Sequence, residues 1–413
     1  MSDPYFPSLK DIMTAEHTLN DILVPTPLMK NRNLSDKYEA NIFLKREDLQ
    51  MVRSYKIRGA YNKIKSLTPE EMEKGVVCAS AGNHAQGVAF SCSKLGIQGK
   101  IYMPVTTPRQ KINQVKMFGG KSIEVVLTGD TFDQANTAAI EACKKNDMVF
   151  IPPFNDPRII EGQATVGLEI IQEARMKLDY IFVPIGGGGL ITGVSTLTKL
   201  LNPNVKVIGV EPAAAASMTE ALKERHPVTL SSANTIADGT AVKRVGEKIF
   251  PYAEKNIDEV ITVADDDLIG AFLDVVENHK MIVENSGLLT VAALRQLDLK
   301  GKKVVSILSG GNMDVITMSS IVQHGLIQRD RIFSVSVLLP DKPGELVRVA
   351  STIAKANGNV IKLEHNQFVS TNRNAAVELR ITLEAFGTEH KHQIMKALED
   401  EGLSPREVNA KLY

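Results

Sequence analysis

At 413 residues, with 43% hydrophobic and 23% charged side chains, the chain has a globular composition and room for two or three domains. Its 48 Lys and Arg balance 48 Asp and Glu, which argues against a nucleic-acid or membrane-surface partner. Cys78, Cys92 and Cys143 show neither metal-ligand spacing nor a disulfide framework, no apolar run reaches spanning length, and the polar N-terminus lacks a signal peptide's form, so a reducing cytoplasm is expected.

The first informative element is "RSYKIRGAYNKIK", residues 53–65. Ile57, Ala60, Tyr61 and Ile64 recur at the spacing of one helical face, and Ser54 is the expected N-cap. That puts Lys56 in the first turn, where exposed N–H groups and the macrodipole disfavour a positive charge. From about residue 41 to 325, apolar strand-like runs alternate with helical patterns. The clearest strands are 76–80, 100–105, 122–127, 148–154, 180–185, 205–212 and 303–309; the helices are 108–118, 131–146, 157–175, 190–201 and 265–279. Continuously apolar strands between helices indicate an α/β fold with a sheet covered on both faces. Near residue 330 the pattern changes. An alternating strand at 331–340, a helix closed by Gly358, strands in "NVIKLEHNQF" and "AAVELRITLEAF", and a helix at 388–402 form a β-α-β-β-α unit close to the ferredoxin-like pattern. The expected division is 1–328, holding a smaller subdomain at about 50–155, and 329–413.

Three glycine-bearing loops follow strands. "PIGGGGL" (184–190) opens a helix, and its N–H groups point at an anion, for which phosphate is the natural guest. It is neither G-x-G-x-x-G nor a P-loop, so dinucleotide or ATP binding is disfavoured. "ASAGNHAQG" (79–87) makes a second anion site from Ser80, Gly82, Asn83 and a helix start, with His84 read as a structural hydrogen-bonder. "LSGGN" (308–312) places Ser309 at a third strand end. Open α/β sheets bind ligands at such carboxyl ends. A lysine disfavoured as an ammonium is a nucleophile, and beside a phosphate cradle it suits a phosphorylated aldehyde held as a Schiff base: pyridoxal 5'-phosphate.

With "SYKIRGA", "SAGNHAQG", "PIGGGGL" and "SGGN" in this order over roughly residues 15–325, the sequence resembles the threonine dehydratases. These are fold type II pyridoxal-phosphate enzymes of the tryptophan-synthase-β-like group. The resemblance implies Lys56 as the Schiff-base lysine with Tyr55 beside it, and Asn83 as partner of the cofactor's phenolic oxygen. It implies Gly186, Gly187, Gly188, Gly189 and Leu190 as the phosphate loop, and Ser309 as partner of the ring nitrogen. The substrate carboxylate is expected on Ser80, Ala81, Gly82, Asn83 and His84. The implied reaction is deamination of L-threonine to 2-oxobutanoate and ammonia, with L-serine as a further substrate. Serine racemases resemble the chain closely but carry a serine where Ala81 stands, which favours elimination here. Their divalent metal site is matched by Glu211 but has Ser217 in place of an Asp, so no metal is expected. "VENSGL" (283–288) departs from the relatives' motif, leaving Glu284 a weak match.

Residues 334–413 resemble an ACT domain, an amino-acid-sensing module. "LPDKPGEL" (339–346) matches its first strand-to-helix loop, which implies an effector site at Asp341, Gly344 and Glu345. The same fold also serves assembly alone, as a dimer or tetramer. A serine dehydratase or racemase, or a catalytically idle amino-acid sensor, are the competing readings.

Overall fold

The computed structural model describes residues 5–174, 176–366 and 377–409. Arg175, Gln367, Phe368, Ala375 and Ala376, the ends of three expected elements, lie outside the described residues. The chain separates into two compact units, up to Asp314 and from Val315 onward. This division precedes the one expected after residue 328, because helix Val315–Gln328 groups with the strand that follows it.

The first unit contains two sheets. Its strands are β1 (Leu28–Lys30), β2 (Asn41–Arg46), β3 (Val76–Ala79), β4 (Gly99–Met103), β5 (Ile123–Leu127), β6 (Val149–Phe150), β7 (Tyr180–Pro184), β8 (Lys206–Pro212), β9 (Glu259–Val263) and β10 (Lys303–Leu308). The larger sheet runs β1-β2-β10-β7-β8-β9, parallel except for the β1–β2 pair. The smaller is all parallel, in the order β5-β4-β3-β6. Central strands are largely apolar because both faces are covered: Ile181, Phe182 and Val183 are fully buried, as are Val76, Val77 and Cys78. The expected strand 148–154 shrinks to Val149–Phe150, since Pro152 and Pro153 have no N–H for a ladder.

Helix Lys56–Lys65 buries the expected face, Ile57, Ala60, Tyr61 and Ile64. Its other side lies against helix Pro157–Glu173, so closely that a Cβ on Gly162 would sit 2.7 Å from the Arg58 carbonyl oxygen. An ion network fixes this contact. The Arg58 guanidinium, fully buried, forks onto the buried Glu47 carboxylate at 2.7 and 2.8 Å and reaches Glu169 at 2.7 Å. Buried Lys45 joins Glu169 at 2.7 Å and Glu173 at 2.6 Å, and Thr26 donates to Glu47 at 2.5 Å.

The second unit is an antiparallel sheet of β11 (Ile332–Leu339), β12 (Asn359–Asn366), β13 (Val377–Glu384) and β14 (Arg406–Val408), ordered β12-β13-β11-β14. Helices Glu345–Lys355 and Thr388–Asp400 cover one face around Val335, Val337, Ile353, Leu379, Ile381 and Ile394. The connectivity is β-α-β-β-α-β, one strand more than the sequence pattern indicates, and is ferredoxin-like.

Candidate active site

Lys56 is placed by a short antiparallel pairing. Ser54 bridges Gly310, the Tyr55 N–H donates to the Ser309 carbonyl at 3.1 Å, and the Gly311 N–H donates to the Arg53 carbonyl at 2.8 Å. This corrects the expectation for Ser54. Tyr55 is the N-cap residue and offers no side-chain cap, while Ser54 is buried with an unpartnered hydroxyl. Lys56 is therefore the first helical residue, beside the end of β10. Its Nζ donates to the Pro153 carbonyl at 2.8 Å and lies 5.4 Å from the centre of the Tyr55 ring. Burial lowers its pKa to about 8, against the pull of the Glu284 carboxylate.

The loop after β3 leads into helix Asn83–Leu95. Two of its expected donors are committed: the Ser80 N–H pairs with the Tyr102 carbonyl at 3.1 Å, and the Gly82 N–H turns to the Ser80 hydroxyl at 3.3 Å. The N–H groups of Ala81, Asn83 and His84 have no acceptor among the described residues, so the anion seat narrows to those three. The His84 ring is buried and Nε2 donates to the Ile151 carbonyl at 2.9 Å. Burial, with Lys56 nearby, pushes it down to about 3, which keeps it neutral and structural.

Asn83 meets two residues that the sequence ranks low or passes over. Its Nδ2 donates to Glu284 Oε1 at 2.7 Å, and its Oδ1 accepts from Asn312 Nδ2 at 2.5 Å. Glu284 precedes helix Asn285–Ala292, and its N–H donates to the Gly310 carbonyl at 3.2 Å. Burial, aided by the charge of Asp238, raises its carboxyl to about 7 despite hydrogen bonds from Asn83 and Asn312. The signal for Asn312 lies in "SGGN" itself, of which it is the last residue.

On the larger sheet, Gly186 to Leu190 lead from β7 into helix Gly189–Leu201. Gly188 takes φ +91°, and a Cβ on Gly187 would overlap the Phe154 ring. The N–H groups of Gly186, Gly187, Gly188, Gly189 and Leu190 have no acceptor among the described residues. Ser309 is buried at the end of β10, and its hydroxyl has no side-chain partner among them. These groups fit pyridoxal phosphate: free donors for the phosphate, an amine of lowered pKa for the aldehyde, and a free hydroxyl for the ring nitrogen.

Residues 19–310 match the family model described as pyridoxal-phosphate dependent enzyme. The chain belongs to this family. Among relatives of this pyridoxal-phosphate dependent enzyme, the biosynthetic L-threonine dehydratase IlvA of Halalkalibacterium halodurans is 42% identical over 403 residues, 97% of this chain and 96% of that protein. The protein of the same name from Bacillus subtilis is 44% identical, covering 87% of this chain and 86% of its own length. The processed form of threonine deaminase isoform 2 from Solanum lycopersicum superposes with a TM-score of 0.71 at 42% identity, over 78% of this chain and 95% of that one. Maize serine racemase gives 0.72 at 31% identity, over 79% and 100%. The first unit is thus a fold type II α/β unit.

Glu211 lies in β8, ahead of helix Ser217–Glu224. Its carboxylate accepts from the Met218 and Thr219 N–H groups at 2.7 and 2.9 Å and from the Thr219 hydroxyl at 2.7 Å, anchoring helix Ser217–Glu224. No cluster of metal-binding side chains occurs among the described residues, and no helix among them is long and apolar enough to cross a membrane. In the second unit, a cavity of about 320 Å³ is lined by residues 339–346 together with His365, Val377 and Leu379; it includes Asp341, Gly344 and Glu345.

Proposed function

We propose that the protein deaminates L-threonine to 2-oxobutanoate and ammonia by β-elimination of water, and acts also on L-serine. The observation that carries this is the Lys56 amine, lowered to about 8, set in one site with Asn83, Ser309 and the free N–H groups of 186–190. Identity of 42–44% to proteins named as threonine dehydratases, over most of the chain, supports the substrate.

Lys56, Tyr55, Asn83, Ser309 and the 186–190 loop would hold the cofactor. When bound, pyridoxal phosphate supplies an aldehyde for the amine and a conjugated ring that takes up the electron pair released at Cα. The substrate carboxylate sits on the N–H groups of Ala81, Asn83 and His84 at a helix start, which fixes the Cα–H bond relative to Lys56. The Lys56 amine would take the α-proton, the β-hydroxyl would leave with a proton as water, and the released enamine would take up water to give 2-oxobutanoate and ammonia. The Ser309 hydroxyl is neutral, so it does not hold a proton on the ring nitrogen as a carboxylate would, which favours prompt loss of the β-hydroxyl. Ala81 offers no hydroxyl acid or base, so racemisation is disfavoured. The second unit is read as an ACT-type domain with an amino-acid effector at Asp341, Gly344 and Glu345. Half-exposed Val360, Ile361 and Leu363 on β12 support assembly as a dimer or tetramer.

The test is Lys56→Ala. The variant is expected to lose the visible absorbance of the linked cofactor and its turnover of L-threonine; dehydration at the wild-type rate would refute the assignment.

A further inference from the structure

We propose that Asn312 is a positioning residue that sets which way the Asn83 amide points. The inference rests on the reading that Asn83 faces the cofactor's phenolic oxygen.

An asparagine amide has two ends of nearly equal size, so its shape alone does not select an orientation. Here the selection starts at a group with no choice. The Val52 carbonyl can only accept, and it takes a hydrogen bond from Asn312 Nδ2 at 3.0 Å. The second proton of the same Nδ2 goes to Asn83 Oδ1 at 2.5 Å. With that oxygen occupied, Asn83 turns its own NH2 the other way, to Glu284 Oε1 at 2.7 Å. The Asn312 N–H closes the ring on Glu284 Oε2 at 3.2 Å. Gly310 is packed against the same groups: a Cβ there would lie 2.8 Å from the Glu284 carboxyl carbon and 3.1 Å from Asn83 Nδ2. The four partners come from the loop before Lys56, the start of helix Asn83–Leu95, the start of helix Asn285–Ala292, and the loop after β10.

The consequence is chemical. An Asn83 that presents N–H stabilises an oxygen anion in front of it, whereas a reversed amide presents a carbonyl and repels that anion. Asn312 makes the donor orientation the resting one.

The test compares Asn312→Ala, the near-isosteric Asn312→Asp, Asn83→Ala, and Asn83→Ala with Asn312→Ala. Apoprotein is titrated with pyridoxal 5'-phosphate, and the bound cofactor's visible band is then followed against pH. Thermal unfolding of each apoprotein checks the fold. Asn312→Ala should weaken cofactor binding by about tenfold, the loss of one hydrogen bond to an ionised group. Asn312→Asp should weaken it further, because its carboxylate accepts from Asn83 and reverses the amide. Both should raise the pH midpoint of the band, as Asn83→Ala should, since an oxygen without its donor is more basic. The double variant should be no weaker than Asn83→Ala alone. A wild-type midpoint and affinity in both Asn312 variants, or effects that add in full to that of Asn83→Ala, overturn the proposal. An Asn83→Ala variant that behaves as wild type overturns the underlying reading and the proposal with it.

Discussion

Burial moves two groups of the site in opposite directions, raising Glu284 to about 7 and lowering Lys56 to about 8. Unfolded, Glu284 returns to 4.5, so between pH 4.5 and 7 the folded chain holds a proton that the unfolded chain has lost. Its contribution to stability is thus greatest below pH 4.5 and is lost as the pH rises through 7. For Lys56 the unfolded value is 10.5, so its burial cost is full below pH 8 and fades as the pH rises toward 10.5. Glu284→Gln removes the carboxylate slope. In urea unfolding of the apoprotein, the variant should gain on wild type by up to roughly 3 kcal/mol between pH 5 and pH 8. An unchanged difference at the two pH values would contradict a buried, titrating Glu284. At this scale the sequence was uneven. Asn83 and Ser309 stand out because each sits in a glycine-bearing turn, and Lys56 because it falls in the first turn of a helix, where an ammonium is disfavoured. Glu284 is a weak match because its neighbours Asn285 and Ser286 depart from the relatives' motif, although its place depends on Gly287 packing against Gly310.

Among the elements, helix Lys56–Lys65 carries Lys56 in its first turn, and its position is fixed from behind by Arg58. Arg58→Met would leave the Glu47 carboxylate fully buried without its cation, at a cost of about 3–5 kcal/mol. Arg58→Lys, which keeps charge but not the fork, should fall between it and wild type. Equilibrium urea denaturation measures both; a loss under about 1 kcal/mol for Arg58→Met would remove the anchor from the account. The periodicity of 53–65 assigned the packing face correctly but was silent on Arg58, since its partners Glu47 and Glu169 lie 11 and 111 residues away. Strand β9 escaped notice for a related reason. Its residues are mostly half-exposed, so "EVITV" mixes polar and apolar positions without the continuous run that revealed β7 and β10.

Across the whole molecule, the second unit was visible as a change from continuous to alternating strands near residue 330. Among its described elements the pattern does not show β14, whose three residues carry no period, or helix Val315–Gln328. If that unit senses an amino acid, isoleucine or valine should change the initial rate of threonine deamination, and Asp341→Ala should blunt the change; a rate indifferent to both amino acids would leave assembly as the unit's role. In the first unit, Lys56 and Asn83 stand with the smaller sheet's helices, while the 186–190 loop, Glu284 and Ser309 belong to the larger sheet. Ion pairs also join these halves, among them Arg58 with Glu47, Lys111 with Asp238 and Lys243 with Asp133. A ligand gripped by both halves acts as a rivet, adding about 2.7 kcal/mol of stability at a hundredfold excess over its dissociation constant. Cofactor loading would then set how readily the two halves open to a protease, as well as how fast the protein works.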